Sequence, residues 1–236
     1  FACVSSPGGS LESIETLPCA NFTFLEDAIR SYLQAREPIS IASICLAVAG
    51  PVDTDPIDLP NNHWKFSRAA LQQTLGVPVQ IINDFSAQVF SLGGLRPEEV
   101  HWLGQARPGS EGVRAIIGPG TGLGVSAMMP SGEVLPSEAG HVGFAPVTLH
   151  QSDLLEVLRK RYRRVSAERV LSGPGLANLY WANCHLQGQC KELPAAEVTA
   201  GARAQDPLFR KAVDDFLAIF AAFAVDVALM TGANQG

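Results

Sequence analysis

The chain of 236 residues is 47% hydrophobic, enough to pack a core in one large or two modest domains. Its formal net charge of -6 and pI near 5.3 remove any electrostatic reason to expect nucleic acid or an anionic membrane as partner. The longest apolar run, residues 216–225, is too short to span a bilayer, and five scattered cysteines, an odd number, point to reduced thiols and the cytoplasm.

Residues 1–4 and 11–17, separated by Pro7-Gly8-Gly9, predict an antiparallel hairpin. Leu25, Ala28, Ile29, Tyr32 and Leu33 then recur at helical spacing, so residues 24–35 are expected to form an amphipathic helix. The nearly continuous apolar stretch 39–48 reads as a buried strand delivering Ala49-Gly50-Pro51-Val52 to a cleft. Asn61-Asn62-His63-Trp64-Lys65-Phe66 follows as a polar and aromatic segment. There Trp64 is expected to anchor packing more than to stack on a sugar. A short helix over 69–75 and a second buried strand over 79–82 come next.

That strand runs into Asn83-Asp84 and a helical pattern over 85–92, the strand, polar pair and helix arrangement that places side chains at the carboxyl end of a sheet. Asp84 is a candidate general base, since a carboxylate partly withdrawn from water there gains basicity and Asn83 offers an amide to a hydroxyl. It is equally a candidate N-cap for the helix. After Gly93-Gly94 and a proline-bearing segment to Pro108, a second lobe is expected to open.

Its first feature is Gly118-Pro119-Gly120-Thr121-Gly122-Leu123-Gly124, between apolar strands predicted over 114–117 and 125–129. A glycine turn between strands does not meet the dinucleotide fingerprint, which needs a helix after the turn and a different glycine spacing. Glycines accept positive φ and leave room for an anion, and Thr121 adds a hydroxyl, so the turn suits phosphate, although a plain hairpin would read the same. In Ser137-Glu138-Ala139-Gly140-His141, Glu138 and His141 are spaced to converge on one ligand or to bond within a local loop.

Helices are expected to dominate the remainder, over 153–164, 167–171, 175–183 and 206–230. Arg159, Lys160, Arg161, Arg163 and Arg164 read as a solvated helix end favoured by the dipole. Glu168 reads as a first-turn charge, and Ser172-Gly173-Pro174-Gly175 as a helix cap with an amide-rich end. Cys184, His185 and Cys190 lack a fourth ligand at recognisable spacing, so no metal site is assigned.

Taken in order, Leu46-Ala47-Val48-Ala49-Gly50-Pro51-Val52, Asn62-His63-Trp64, Ile81-Ile82-Asn83-Asp84-Phe85, Gly120-Thr121-Gly122-Leu123-Gly124, Ser137-Glu138-Ala139-Gly140-His141 and Ser166-Ala167-Glu168-Arg169-Val170-Leu171-Ser172-Gly173-Pro174-Gly175 resemble the bacterial glucokinase family. The resemblance implies an α/β, two-lobe actin-like ATPase (ribonuclease H-like) fold: a small lobe over 1–94 and a large lobe over 95–236. It implies ATP-dependent phosphorylation of glucose with Mg²⁺. Asp84 matches the catalytic base, and Asn83, Asp84, Glu138, His141 and Glu168 match the sugar-holding groups. Gly120, Thr121, Gly122 and Gly124 match a phosphate-binding turn. A cytoplasmic protein without nucleic-acid or membrane partners, and a homodimer, are further expectations.

The alternatives are a kinase for another hexose and a non-catalytic sugar-binding or regulatory protein of the same fold. The family's first strand with its Asp-x-Gly-Gly-Thr turn, and its closing segments, have no counterpart in the 236 residues. The expectation is therefore a fold incomplete at both termini and a chain with little or no kinase activity by itself.

Overall fold

The computed structural model describes every residue except Glu37, Pro60, Asn61, residues 104–111, Cys190 and Gly236. Asn61 of the polar and aromatic segment, Pro108 and Cys190 of the cysteine pair therefore lie outside the described residues. The chain divides into two compact units, Phe1–Ala87 and Gln88–Gly236.

In the first unit, β1 (Ile44–Val48) pairs in parallel with β4 (Val79–Asn83), aligning Ile44 with Val79 and Val48 with Asn83. Between them run a short antiparallel ladder of β2 (Ile57–Asp58) and β3 (Lys65–Phe66), and helix α2 (Arg68–Leu75). Helix α1 (Leu25–Gln34) precedes them and carries Glu26 and Asp27 in its first turn, where negative charge suits the dipole. Its buried stripe, Leu25, Ala28 and Ile29, packs in one cluster with Leu71 of α2 and with Val48, Val79 and Ile81 of the strands. Trp64 joins this core and donates its indole N–H to the Phe22 carbonyl at 3.1 Å, as an anchor should.

Two expectations for this unit are modified. The apolar stretch 39–48 forms a strand only from Ile44, whose amide bonds to the Pro78 carbonyl; Pro78, with no N–H of its own, limits the ladder. Cys45, Ala47 and Gln80 are exposed, so the helices cover one face of this sheet rather than two. The N-terminal hairpin forms irregularly: Cys3 and Glu12 exchange both amide bonds at 2.8 Å, Glu15 N–H donates to Phe1 O at 2.9 Å, and Ser13, at φ 53°, lies between the two pairs.

Helix α3 (Asp84–Ser91) contains the boundary between the units. In the second unit, β5 (Val113–Pro119), β6 (Leu123–Met128), β7 (Val134–Ser137) and β8 (Ala233–Gln235) form a sheet ordered β7-β6-β5-β8, with β8 parallel to β5. Helices α4 (Leu149–Arg159), α5 (Gly173–Leu186), α6 (Ala195–Arg203) and α7 (Pro207–Thr231) complete it. Its main core joins Leu123 and Val125 of β6 to Leu158, Leu179, Ile219 and Phe223 from three of these helices.

Helix α4 begins earlier than its apolar spacing predicts because Thr148 caps it, its hydroxyl accepting the Gln151 amide at 3.2 Å. It also ends earlier, at Arg159, so Arg161, Arg163 and Arg164 lie beyond it and Arg161 instead stacks over the Trp181 ring at 3.8 Å. The helix expected over 167–171 is a 3₁₀ turn, Ala167–Arg169.

Helix α7 starts at an Asp206 cap, and Gly232, in left-handed conformation at φ 69°, turns the chain out of it into β8. Within α7 the buried carboxylate of Asp215 accepts from Asn183 Nδ2 at 2.9 Å, meets His150 Nε2 at 2.9 Å and pairs with Lys211. A buried charge is tolerable there because it is surrounded by donors. Among the described residues no helix is long and apolar enough to cross a membrane.

Tyr180, almost wholly buried, stacks on Phe209 with ring centroids 4.8 Å apart. Burial, helped by the neighbouring Cys184 thiol, raises its pKa from 10.0 to about 12. Between those values the unfolded chain loses the phenolic proton while the folded one keeps it. Stability therefore falls with rising pH by up to about 1.4 kcal/mol per pH unit. Denaturation midpoints measured across that window should decline, and Tyr180→Phe should flatten the decline.

Candidate functional site

At the carboxyl end of β4, Asn83 is the residue that caps α3. Its Oδ1 accepts the amides of Phe85 at 2.9 Å and Ser86 at 3.2 Å, and its Nδ2 donates to the Gly50 carbonyl at 3.2 Å. The amide expected to meet a hydroxyl thus also ties the end of β4 to the turn after β1. Asp84 occupies the first helical position, and its Oδ1 accepts the Phe85 amide at 2.9 Å. The carboxylate is half-buried, and among the described residues no hydrogen bond reaches its second oxygen.

In the second unit β5 and β6 pair antiparallel up to Pro119 opposite Leu123, leaving Gly120-Thr121-Gly122 as the tip of a hairpin. Gly120 N–H donates to the Gly122 carbonyl at 2.8 Å and closes the tip. Among the described residues the amides of Thr121 and Gly122 have no acceptor, and Thr121 is exposed. Unspent backbone donors beside a hydroxyl are the kind of groups that anion-binding turns use. Gly124 sits behind the tip, in the ladder opposite Gly118.

The first residue of α5 touches this hairpin, Gly173 N–H donating to the Gly120 carbonyl at 2.8 Å. Ser172 caps the helix by accepting the Gly175 amide at 3.0 Å. The positive end of a 14-residue helix therefore lies at the tip and favours negative charge there.

Ser137-Glu138-Ala139-Gly140-His141 follows β7 and closes in a 3₁₀ turn, Ala139–His141. Gly140 is pressed on the hairpin: a Cβ there would fall 2.0 Å from the Leu123 carbonyl oxygen. The chain beyond it is stitched to the segment bearing Glu168, Phe144 N–H donating to Val165 O at 3.0 Å and Ala167 N–H to Val142 O at 2.8 Å. Glu168 reaches back to the hairpin, its Oε2 accepting the Leu123 amide at 3.0 Å. Glu138 and His141 side chains stay open to solvent, Oε2 and Nε2 3.8 Å apart, near enough to share a ligand but too far for a mutual hydrogen bond.

Three motifs of the second unit, apart in sequence, thus meet around Leu123: a hairpin tip with free amides, the turn bearing Glu138 and His141, and the carboxylate of Glu168. Such an arrangement can hold an anion on one side and hydroxyl groups on the other. Leu123 of the hairpin, with Gly140, Ser172 and Gly173, forms its frame, and the sequence places none of the last three against the hairpin. The available signal was Gly140, a site of close backbone approach.

Elsewhere, Cys184 is buried and His185 Nε2 lies 3.0 Å from Lys160 Nζ. Among the described residues no group of three or more His, Cys, Asp or Glu could hold a metal ion.

The family model described as Glucokinase matches residues 1–236. The chain belongs to the glucokinase family. Over 241 residues it is 41% identical to the glucokinase of Chromohalobacter salexigens, covering 100% of this chain and 76% of that relative. The glucokinase of Pseudomonas paraeruginosa is 43% identical over 97% of this chain and 70% of its own length.

A solved glucokinase from an Antarctic psychrotroph superposes with a TM-score of 0.85 at 33% identity, over 99% of this chain and 75% of the other. The hexokinase of the ROK group from Thermus thermophilus, 16% identical, shares the fold with a TM-score of 0.62, over 88% of this chain and 66% of the other. The glucokinase fold adopted here is the α/β actin-like ATPase fold.

Proposed function

We propose that the protein transfers the γ-phosphoryl group of ATP to the 6-hydroxyl of glucose. The observation that carries this reading is the meeting around Leu123 of the hairpin tip, the Glu138 and His141 pair, and Glu168. An anion site and a hydroxyl site sharing one backbone suit a reaction that joins a phosphate to a sugar alcohol.

In this mechanism Asp84 accepts the proton of the 6-hydroxyl as its oxygen attacks the γ-phosphorus, and the bond from that phosphorus to the β,γ-bridging oxygen breaks, releasing ADP. Asn83, Glu138, His141 and Glu168 bind and orient the sugar hydroxyls. Once bound sugar covers these groups, ligands lacking those hydroxyls are discriminated against, because the polar groups beneath them go unpaired. Gly120, Thr121 and Gly122 donate to phosphate oxygens, with Gly124 keeping side-chain bulk from the ladder behind them. Mg²⁺, when bound, neutralises charge on the phosphate oxygens. Among the described residues no cage of ligands is present for it, so no residue is assigned to the ion and no step runs through it.

A cytoplasmic location, a homodimer and the absence of nucleic-acid or membrane partners belong to the same reading. The full-length protein, given glucose and ATP, should form glucose 6-phosphate and ADP in equal amounts. Saturable glucose binding without product would favour a regulatory sugar-binding protein, and faster turnover of another hexose would reassign the substrate.

A further inference from the structure

Glu168 is fastened to the hairpin tip at both of its ends. Where the tip re-enters β6, the carboxylate Oε2 accepts the Leu123 amide at 3.0 Å. At the other end the linkage runs through main chain: the Glu168 carbonyl accepts the Ser172 hydroxyl at 2.8 Å, and Ser172 caps α5, whose first residue, Gly173, donates to Gly120 O at 2.8 Å. Thr121 and Gly122, with their free amides, lie between two anchors that both lead to Glu168. The residue at 122 must be small for this, since a Cβ there would sit 2.6 Å from Oε2. Among the described residues the other carboxylate oxygen, Oε1, has no hydrogen bond.

We propose that Glu168 couples the two halves of the site, so that a sugar hydroxyl bound at Oε1 tightens the Leu123 bond at Oε2 and stiffens the phosphate-binding tip. This rests on the glucokinase reading above and adds to it a second role for Glu168, as the positioning residue of the tip. A carboxylate held by one neutral donor can still rotate about its last torsion. A second donor on the opposite oxygen fixes its plane, and hydrogen bonds to an ionised acceptor are the stronger kind. The tip, which has no ladder bonds of its own, then presents its amides in one arrangement, and the nucleotide meets less disorder to remove. By linkage the effect is reciprocal: bound nucleotide must tighten sugar binding by the same factor.

The Leu123 amide reports this directly. In the full-length protein without nucleotide, saturating glucose should slow hydrogen exchange at Leu123 by about fivefold or more. Glucose should also lower the Kd of a non-hydrolysable ATP analogue, supplied with Mg²⁺, by a similar factor. In Glu168→Ala both responses should vanish at glucose concentrations that saturate the variant, and Glu168→Gln, which keeps an acceptor oxygen, should restore part of each. A residue that merely held sugar would change glucose affinity and leave Leu123 exchange indifferent to glucose.

Bound glucose with unchanged exchange at Leu123 in the unmodified protein would overturn the coupling while leaving the glucokinase reading intact. That outcome needs no variant to fold. Absence of glucose binding would overturn both.

Discussion

Asp84→Asn in the full-length protein is expected to lower the rate of glucose 6-phosphate formation by about 10²–10⁴-fold, the usual range for loss of a general base. That is about 3–5 kcal/mol added to the barrier. The structural cost should be far smaller. Asn offers the same carbonyl oxygen to the Phe85 amide that Oδ1 of Asp84 now meets at 2.9 Å, and Asn83, the true cap of α3, is untouched. What the helix loses is one negative charge in its first turn, about 0.3–1 kcal/mol.

The chemical effect therefore exceeds the structural one by a wide margin, and the two separate experimentally. Turnover at saturating glucose and ATP should collapse, while the melting temperature moves little and glucose Kd changes by less than about tenfold. Retained turnover with glucose bound would remove Asp84 from the role of base.

The same few residues show how much of the fold and site is legible in the sequence. Alternating roles at Asn83-Asp84 and the strand, turn and strand around Gly120 are local patterns, and local patterns carry their own periodicity and turn chemistry. The amphipathic stripe of α1 likewise needs only its own spacing, and the helix spans Leu25–Gln34 where residues 24–35 were expected. Strand β8 is different: Ala233, Asn234 and Gln235 have no apolar alternation and read as a turn, yet Gly232 aims them along β5, more than a hundred residues earlier. Only a partner supplied by the fold makes such a segment a strand. The early start of α4 was hidden similarly, since Leu149, His150 and Gln151 show no helical periodicity and depend on the Thr148 cap.

In the site, residue types that carry chemistry were legible and the contacts that position them were not. Glu168 shows the reason. Its spacing relates it only to its own helix start, whereas its Oε2 is bonded to Leu123, 45 positions away. A hydrogen bond from a backbone amide leaves no mark on the amino acid that donates it, so Leu123 could be any residue that fills the core.

Gly140 is the place where that hidden frame is least able to give way. A methyl group at 140 would lie 2.0 Å from Leu123 O, 3.0 Å from its carbonyl carbon and 3.1 Å from its Cβ, so it meets backbone rather than the end of a flexible side chain. Gly140→Ala must push β6 away from the 3₁₀ turn that carries Glu138 and His141, and overpacking of this kind costs about 1–3 kcal/mol. For a domain of this size the melting temperature should fall by about 2–4 °C for each kcal/mol.

Displacing Leu123 also draws its amide from Glu168, so at temperatures where the variant is folded, glucose and ATP affinity should weaken together. Gly143→Ala is the control, because a Cβ at 143 has nothing within 4 Å. It should leave both affinities and the melting temperature close to those of the unmodified protein. Equal behaviour of the two variants would mean that the contact between Gly140 and Leu123 does not hold the sugar segment on the phosphate turn.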